Sequence, residues 1–291
     1  MRDKPVMCIA GLGLIGGSMA LALKRKRFAR RIVGVDVSPR TLKLALVKGV
    51  IDEAESSLVK GAFKADILLL SMPINEIIRS LRILSDAEVR CSLIMDTGST
   101  KTDIIAAASE SKIMSSCFVG GHPMAGSEKS GIESAHPDIF SGATFFLTPL
   151  QNTEPSALEM AKSLVYSLDS TPLEITPERH DRIVAFTSHL PYLVSLGLSH
   201  TVSNESTIFS ELPKAISSGF KSSTRLSVSP SELWADILSS NSKNIIEALD
   251  LFNSSLKIFS DILRRSDTEQ LRKVLALIRS KHEALLEDRE E

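Results

Sequence analysis

The stretch MCIAGLGLIGGSMALAL, Met7 to Leu23, sets a glycine turn between two apolar runs and narrows the folds open to this chain more than any other feature. Its glycines fall as Gly11-x-Gly13-x-x-Gly16. Val6 to Ala10 is long enough for one buried strand, and Ile15, Met19, Leu21, Ala22 and Leu23 suit a helix packed on a sheet. A strand, a sharp turn and a helix, in that order, present free amides to a pyrophosphate, here from Leu14 onward. A side chain at Gly13 would hold the phosphates away. Farther on, RRIVGVDVSPRT supplies a second apolar run, Ile32 to Val35, ending in Asp36. A carboxylate at the end of the second strand accepts hydrogen bonds from an adenosine ribose diol and repels a 2′-phosphate, which favours NAD over NADP. The alternative is that Asp36 or Ser38 only caps the next helix, and Arg40 leaves NADP open.

Up to about Pro177 the chain alternates two textures. ADILLLSMP (65–73), SLIMDTG (92–98), CFVGGHP (117–123) and TFFLTP (144–149) are apolar runs closed by Gly, Pro or Ser, while 74–85, 100–112 and 155–167 carry helical periodicity. Such alternation predicts an α/β domain, a Rossmann-like parallel sheet with helices on both faces, over residues 1–176. Beyond LEITPERHD no strand is expected. Ile245, Leu249, Phe252, Leu256, Phe259 and Leu263 recur every three or four residues, as do Leu271, Val274, Leu275, Ile278 and Leu285. These spacings predict an all-helical domain over 177–291, ending in a charged tail, EALLEDREE, expected to fray.

Composition narrows the function. The chain has 291 residues and a formal charge of −1, without the basic excess that a nucleic-acid or membrane-surface partner wants. Cys8, Cys91 and Cys117 form no CxxC pair and read as buried thiols of a reducing compartment. No signal peptide or membrane span is evident, so a cytoplasmic protein is expected. No HExxH, Cys/His cluster or paired-carboxylate motif points to a metal.

In an open α/β sheet, ligands sit beyond the carboxyl ends of the strands. That places Ser71 and Pro73 of SMP and Gly98 of DTGSTK against the cofactor, and Ser127 of GGHPMAGSE against the substrate. His122 follows Gly120 and Gly121, which are expected to keep a loop open, and precedes Pro123; there it can take a proton as a hydride leaves. Ser99 can steady a substrate hydroxyl or the histidine, and can also cap the helix from Thr100. RHDRIVAFTSHLPYLVSLGL carries His180, Asp181 and His189 on an otherwise apolar helix, where a histidine is as often a core group as a ligand contact. Lys221 and Arg225, both candidate substrate contacts, lie in a polar link. Arg225 can grip a carboxylate with its forked donors or simply be solvated, and Trp234 reads as core.

The motifs GLGLIGGSMALALK, DTGSTK, GGHPMAGSEKSGI, DIFSGATFFLTP, ERHDRIVAFTSHLPY and GFKSSTRLSVSPSELWADI, in this order, resemble the prephenate/arogenate dehydrogenase family of tyrosine biosynthesis over nearly the whole chain. The resemblance implies NAD-dependent oxidative decarboxylation of prephenate to 4-hydroxyphenylpyruvate. It makes His122 the catalytic histidine and Ser99 its hydrogen-bonding companion. His189 falls in the substrate pocket, Arg225 on a substrate carboxylate, and a homodimer forms through the helical domain. Rival expectations are arogenate or dual cyclohexadienyl activity, another NAD(P)-dependent hydroxyacid or imine oxidoreductase, and a non-catalytic NAD-binding protein. Two departures stand out: Tyr192 replaces a frequent His, and Ser222 a frequent Asp.

Overall fold

The computed structural model describes residues 4–127 and 129–287, which form two compact units, Met1–Ser242 and Lys243–Glu291. The first unit opens with alternating strands and helices: β1 (Val6–Ala10), α1 (Leu14–Arg25), β2 (Arg31–Val35), α2 (Pro39–Val47), β3 (Glu53–Glu55), α3 (Leu58–Ala62), β4 (Ile67–Leu70), α4 (Ile74–Asp86), β5 (Leu93–Asp96), α5 (Thr102–Ser109) and β6 (Phe118–Pro123). After a long excursion come β7 (Thr144–Pro149), α6 (Pro155–Ser167) and β8 (Thr171–Glu174). Four helices complete it: α7 (Pro177–Val184), α8 (Leu190–Glu205), α9 (Ser218–Ser223) and α10 (Ser231–Ser240). The second unit is built from α11 (Ser242–Arg264) and α12 (Thr268–Glu287).

The strands form one sheet in the order β3-β2-β1-β4-β5-β6-β7-β8. β1 is buried along its whole length, with Met7 and Ile9 in the core of one face and Cys8 and Ala10 in that of the other. Helices cover both faces, which is why the central strands are continuous apolar runs and do not alternate. Strand order reverses between β1 and β4, opening a crevice at their carboxyl ends.

Four expectations change. The sheet is parallel from β3 to β6 and again between β7 and β8, but β7 runs antiparallel to β6, with Pro123 opposite Phe145. Residues 124–143 leave the sheet and return at the same end without a crossover helix, so the chain re-enters in the opposite sense. β3 and β8 are edge strands with little burial and carry no apolar run that would reveal them. The apolar helix expected around His189 is interrupted by a π-helical turn, Ala185–His189, between α7 and α8. Helix α12 runs on through Glu287; the rest of the charged tail, Asp288 to Glu291, lies outside the described residues.

Three glycines of the first turn serve three different needs. Gly11 has φ +89° and a Cβ there would lie 2.0 Å from the Ser71 carbonyl oxygen. A Cβ at Gly16 would lie 2.0 Å from the Gly11 oxygen, so this glycine lets α1 seat on the turn. At Gly13 a Cβ would meet nothing within 4 Å, which leaves its role to a ligand. Left-handed strain and a backbone clash together cost about 2–5 kcal/mol. Gly11→Ala should therefore lower unfolding stability in urea by that amount. Gly13→Ala should stay within about 0.5 kcal/mol of the parent, as substitutions away from packed features do. Equal destabilisation by the two changes would contradict this division.

Candidate active site

A cleft of about 680 Å³ opens at the switch point of the sheet. The turn after β1 contributes Gly13, Leu14 and Ile15, the loop after β4 contributes Ser71, Met72 and Pro73, and that after β5 contributes Thr97, Gly98 and Ser99. His122 stands at the end of β6, with Met124 to Ser127 beyond it. Ser188 and His189 of the π-helical turn, Arg225, and Leu233, Trp234 and Ile237 of α10 form the opposite wall. Most expected site residues thus converge. Lys221 does not, being exposed on α9, and Gly11, Gly16 and Asp36 also stand outside this lining.

Helix α1 has no side-chain cap and no acidic residue in its first turn, so its leading amides are open to an anion. Asp36, at the end of β2, accepts from the Leu12 amide at 2.9 Å and from the Ser38 amide at 2.9 Å. Its carboxylate stitches the glycine turn to the second strand and keeps lone pairs for a diol. The cap of α2 is Ser38, whose Oγ accepts from the Thr41 amide. Arg40 lies 3.6 Å from Glu133.

His122 takes its hydrogen-bond partners from elements far away in sequence. Asp181 of α7 accepts from the Lys101 amide at 2.7 Å and the Thr102 amide at 2.9 Å, capping α5 from outside. Ser99 is therefore not the cap expected from the sequence. Asp181 also lies 2.8 Å from His180 Nδ1. Burial pushes its carboxyl upward, but these hydrogen bonds outweigh that and hold it below the ordinary carboxylate range. An ionised carboxylate only accepts, so His180 Nδ1 donates. Burial lowers the His180 pKa and keeps the ring neutral, leaving its Nε2 bare. His122 Nδ1, 2.9 Å from that Nε2, must then donate. Burial, followed by the fields of His180 and Lys101, drives the His122 pKa well below 6.5. A neutral His122 with its proton on Nδ1 carries a lone pair on Nε2. The chain Asp181–His180–His122 thereby fixes the tautomer of a proton acceptor. Sequence alone assigns His180, Asp181 and Lys101 no role; the signal that could have found the first two is a polar pair inside an apolar-periodic segment. The companion that the structure gives His122 at Nδ1 is His180, while Ser99 lines the same cleft.

The backbone under His122 is gripped as firmly. Lys101, fully buried, donates to Asp96 and, at 2.8 Å, to the Gly121 oxygen. Asp96 accepts from the Gly121 amide at 3.1 Å and the Gly98 amide at 2.7 Å. Burial lowers the Lys101 pKa against the pull of Asp96. Gly120 and Gly121 lie inside β6 and do not hold a loop open: a Cβ on Gly121 would lie 2.5 Å from the Asp96 oxygen.

On the far wall Trp234 is half-buried, packed against the core on one side and lining the cleft on the other. Tyr192 stacks flat on it, centroid to centroid 3.7 Å, and His189 meets it edge-on. Ser222 is exposed, its hydroxyl turned back to the Gly219 oxygen. Burial takes the His189 pKa down to about 4.

His122, His180 and His189 share one sign of shift, and it has a consequence for stability. A ring with a depressed pKa in the folded state binds its proton more readily when unfolded. Stability then falls as pH drops below the unfolded value, near 6.5, by up to about 1.4 kcal/mol per pH unit for each ring. Urea midpoints should fall steeply between pH 6.5 and 5. Midpoints unchanged over that interval would contradict three buried neutral imidazoles.

Comparison with known proteins bears on this cleft. The family model described as prephenate dehydrogenase, nucleotide-binding domain, matches residues 19–171, and that described as prephenate dehydrogenase, dimerization domain, matches 176–277. Prephenate dehydrogenase of Bacillus subtilis (strain 168) is 33% identical over 269 residues, 92% of this chain and 72% of that protein. The structure of A. aeolicus prephenate dehydrogenase in complex with hydroxyphenyl propionate and NAD+ superposes with a TM-score of 0.90 at 30% identity, covering 98% of this chain and 99% of that one. Synechocystis arogenate dehydrogenase gives 0.80 at 29% identity, over 96% and 99%. The chain belongs to the prephenate dehydrogenase family of oxidoreductases.

Proposed function

We propose that this protein oxidises and decarboxylates prephenate to 4-hydroxyphenylpyruvate with NAD, and that His122 takes the substrate hydroxyl proton. The observation that carries this reading is the neutral His122, its tautomer set from Asp181, in a cleft shared with the glycine turn. The residues fit a dinucleotide. The space at Gly13, where a Cβ meets nothing, lies beside the uncapped amides of α1, and Asp36 stands at the end of β2 for a ribose diol. Absence of a 2′-phosphate suits that carboxylate. The A. aeolicus relative was solved with NAD+, which supports the same choice here.

Nicotinamide, when bound, supplies the hydride acceptor. The protein's own part is to orient and deprotonate. As the carbinol carbon gives up its hydride, Nε2 of His122 accepts the hydroxyl proton, making that carbon a better donor. The ring carboxylate then leaves as carbon dioxide, its bonding pair completes the aromatic ring, and the carbonyl becomes a phenolate oxygen that takes back the proton held on His122. Arg225 holds a substrate carboxylate, while Ser99, Ser127 and His189 position the ring and side chain. Among the described lining residues the formal charges are the cations Lys129 and Arg225, a set suited to a dianion such as prephenate. That supports prephenate over arogenate, whose side chain bears an ammonium. A homodimer is supported by the dimerization-domain match and by the many exposed leucines and isoleucines on α11 and α12, Leu251, Leu263, Leu277 and Leu285 among them.

The test is reduction of NAD by the purified protein with prephenate, alongside arogenate and NADP arms, with identification of the aromatic product. Prephenate with NAD should be the fastest combination. His122→Asn should lose about 10²- to 10⁴-fold in kcat, the span of general-base contributions, with NAD affinity unchanged. Turnover of arogenate alone would reassign the substrate, and a near-normal kcat in His122→Asn would move the base elsewhere.

A further inference from the structure

His189 faces the same cleft as His122, and its protonation is set by a different neighbour. Asn241, buried just beyond the end of α10, places its Nδ2 at 2.7 Å from the Asp181 backbone oxygen and at 3.2 Å from His189 Nδ1. A backbone carbonyl can only accept, so the amide atom turned to it must be the NH2 group. The second hydrogen of that group points to His189 Nδ1, and an amide nitrogen does not accept. His189 Nδ1 is thus the acceptor, and the neutral ring keeps its proton on Nε2. The low pKa of this ring agrees with a neutral form.

We infer that Asn241 is a positioning residue that makes His189 a hydrogen-bond donor to a carbonyl or carboxylate oxygen of the substrate, opposite in proton polarity to His122. Both polarities trace to Asp181. Its carboxylate, through His180, leaves His122 with a bare Nε2, and its backbone oxygen orients the Asn241 amide that leaves His189 with an Nε2–H. One residue thereby gives the cleft a proton acceptor on one wall and a donor on the other. A substrate with a hydroxyl to be deprotonated and an oxygen anion to be held fits between them. The ligand class rests on the function proposed above; the tautomer does not.

The experiment is long-range proton–nitrogen NMR of the full chain labelled with ¹⁵N-histidine near pH 7, with His189 assigned through His189→Gln. The parent should show His189 protonated at Nε2 and bare at Nδ1. Asn241→Asp replaces the donor by a carboxylate that only accepts, so it should move the proton to Nδ1 and raise the substrate KM about 10- to 150-fold, the worth of a hydrogen bond to a charged group. NAD affinity should stay the same. A parent His189 that is cationic or protonated at Nδ1 overturns the inference, and needs no variant to fold. So does an Asn241→Asp protein that keeps the Nε2–H tautomer. If the tautomers behave as expected but prephenate is not turned over, the inference stands and the proposed reaction fails.

Discussion

The carboxylate of Asp181 holds three donors at once: the amides of Lys101 and Thr102 and the ring of His180. Much of what places the chemistry depends on it. A buried carboxylate is costly unless its lone pairs are taken, and here the leading amides of α5, which lack any local cap, take them. The same bonds join a helix that follows β5 to one that follows β8, so His180 is delivered to His122 by the fold itself. The direction of every hydrogen bond outward from Asp181 then follows from one fact, that an ionised carboxylate cannot donate.

The buried Lys101–Asp96 pair works at shorter range. Between them they hold both the amide and the carbonyl of Gly121, the residue before His122. Buried ion pairs contribute little net stability against an apolar alternative, so geometry is the better account of this one. It fixes the strand end from which the histidine projects and adds a positive field that disfavours protonating the ring. Position and proton affinity of His122 are thereby set by overlapping groups.

The frame of the fold was legible from the first glycine turn and from the alternation of apolar runs. The strand-end loops also revealed His122 and Ser99 as neighbours, because ligands gather there in this architecture, whereas His189 and Arg225 joined them only through the family resemblance. Other features had no local signature. The reversal of β7 depends on where the 124–143 segment re-enters the sheet, which hydropathy does not encode. β3 and β8 sit at the edges, where burial leaves no apolar run. The hydrogen bond between His122 and His180 spans 58 positions, and that from Asp181 to the Lys101 amide spans 80. Residue type and spacing cannot reveal such pairs, so Ser99 read as both cap and companion. Lys101 is fully buried, which its place in DTGSTK does not reveal.

In its proposed role His122 works as a neutral base, with burial holding its pKa well below 6.5. A base must be unprotonated to act, so a lower pKa moves the acid limb of activity toward lower pH. The direct measurement is kcat/KM for prephenate with saturating NAD, taken from pH 8 to the lowest pH the fold withstands, with unfolding monitored in parallel. A level profile is expected through pH 6.5, with loss setting in only well below it. A reversible limb centred at or above 6.5, in protein that remains folded, would contradict it.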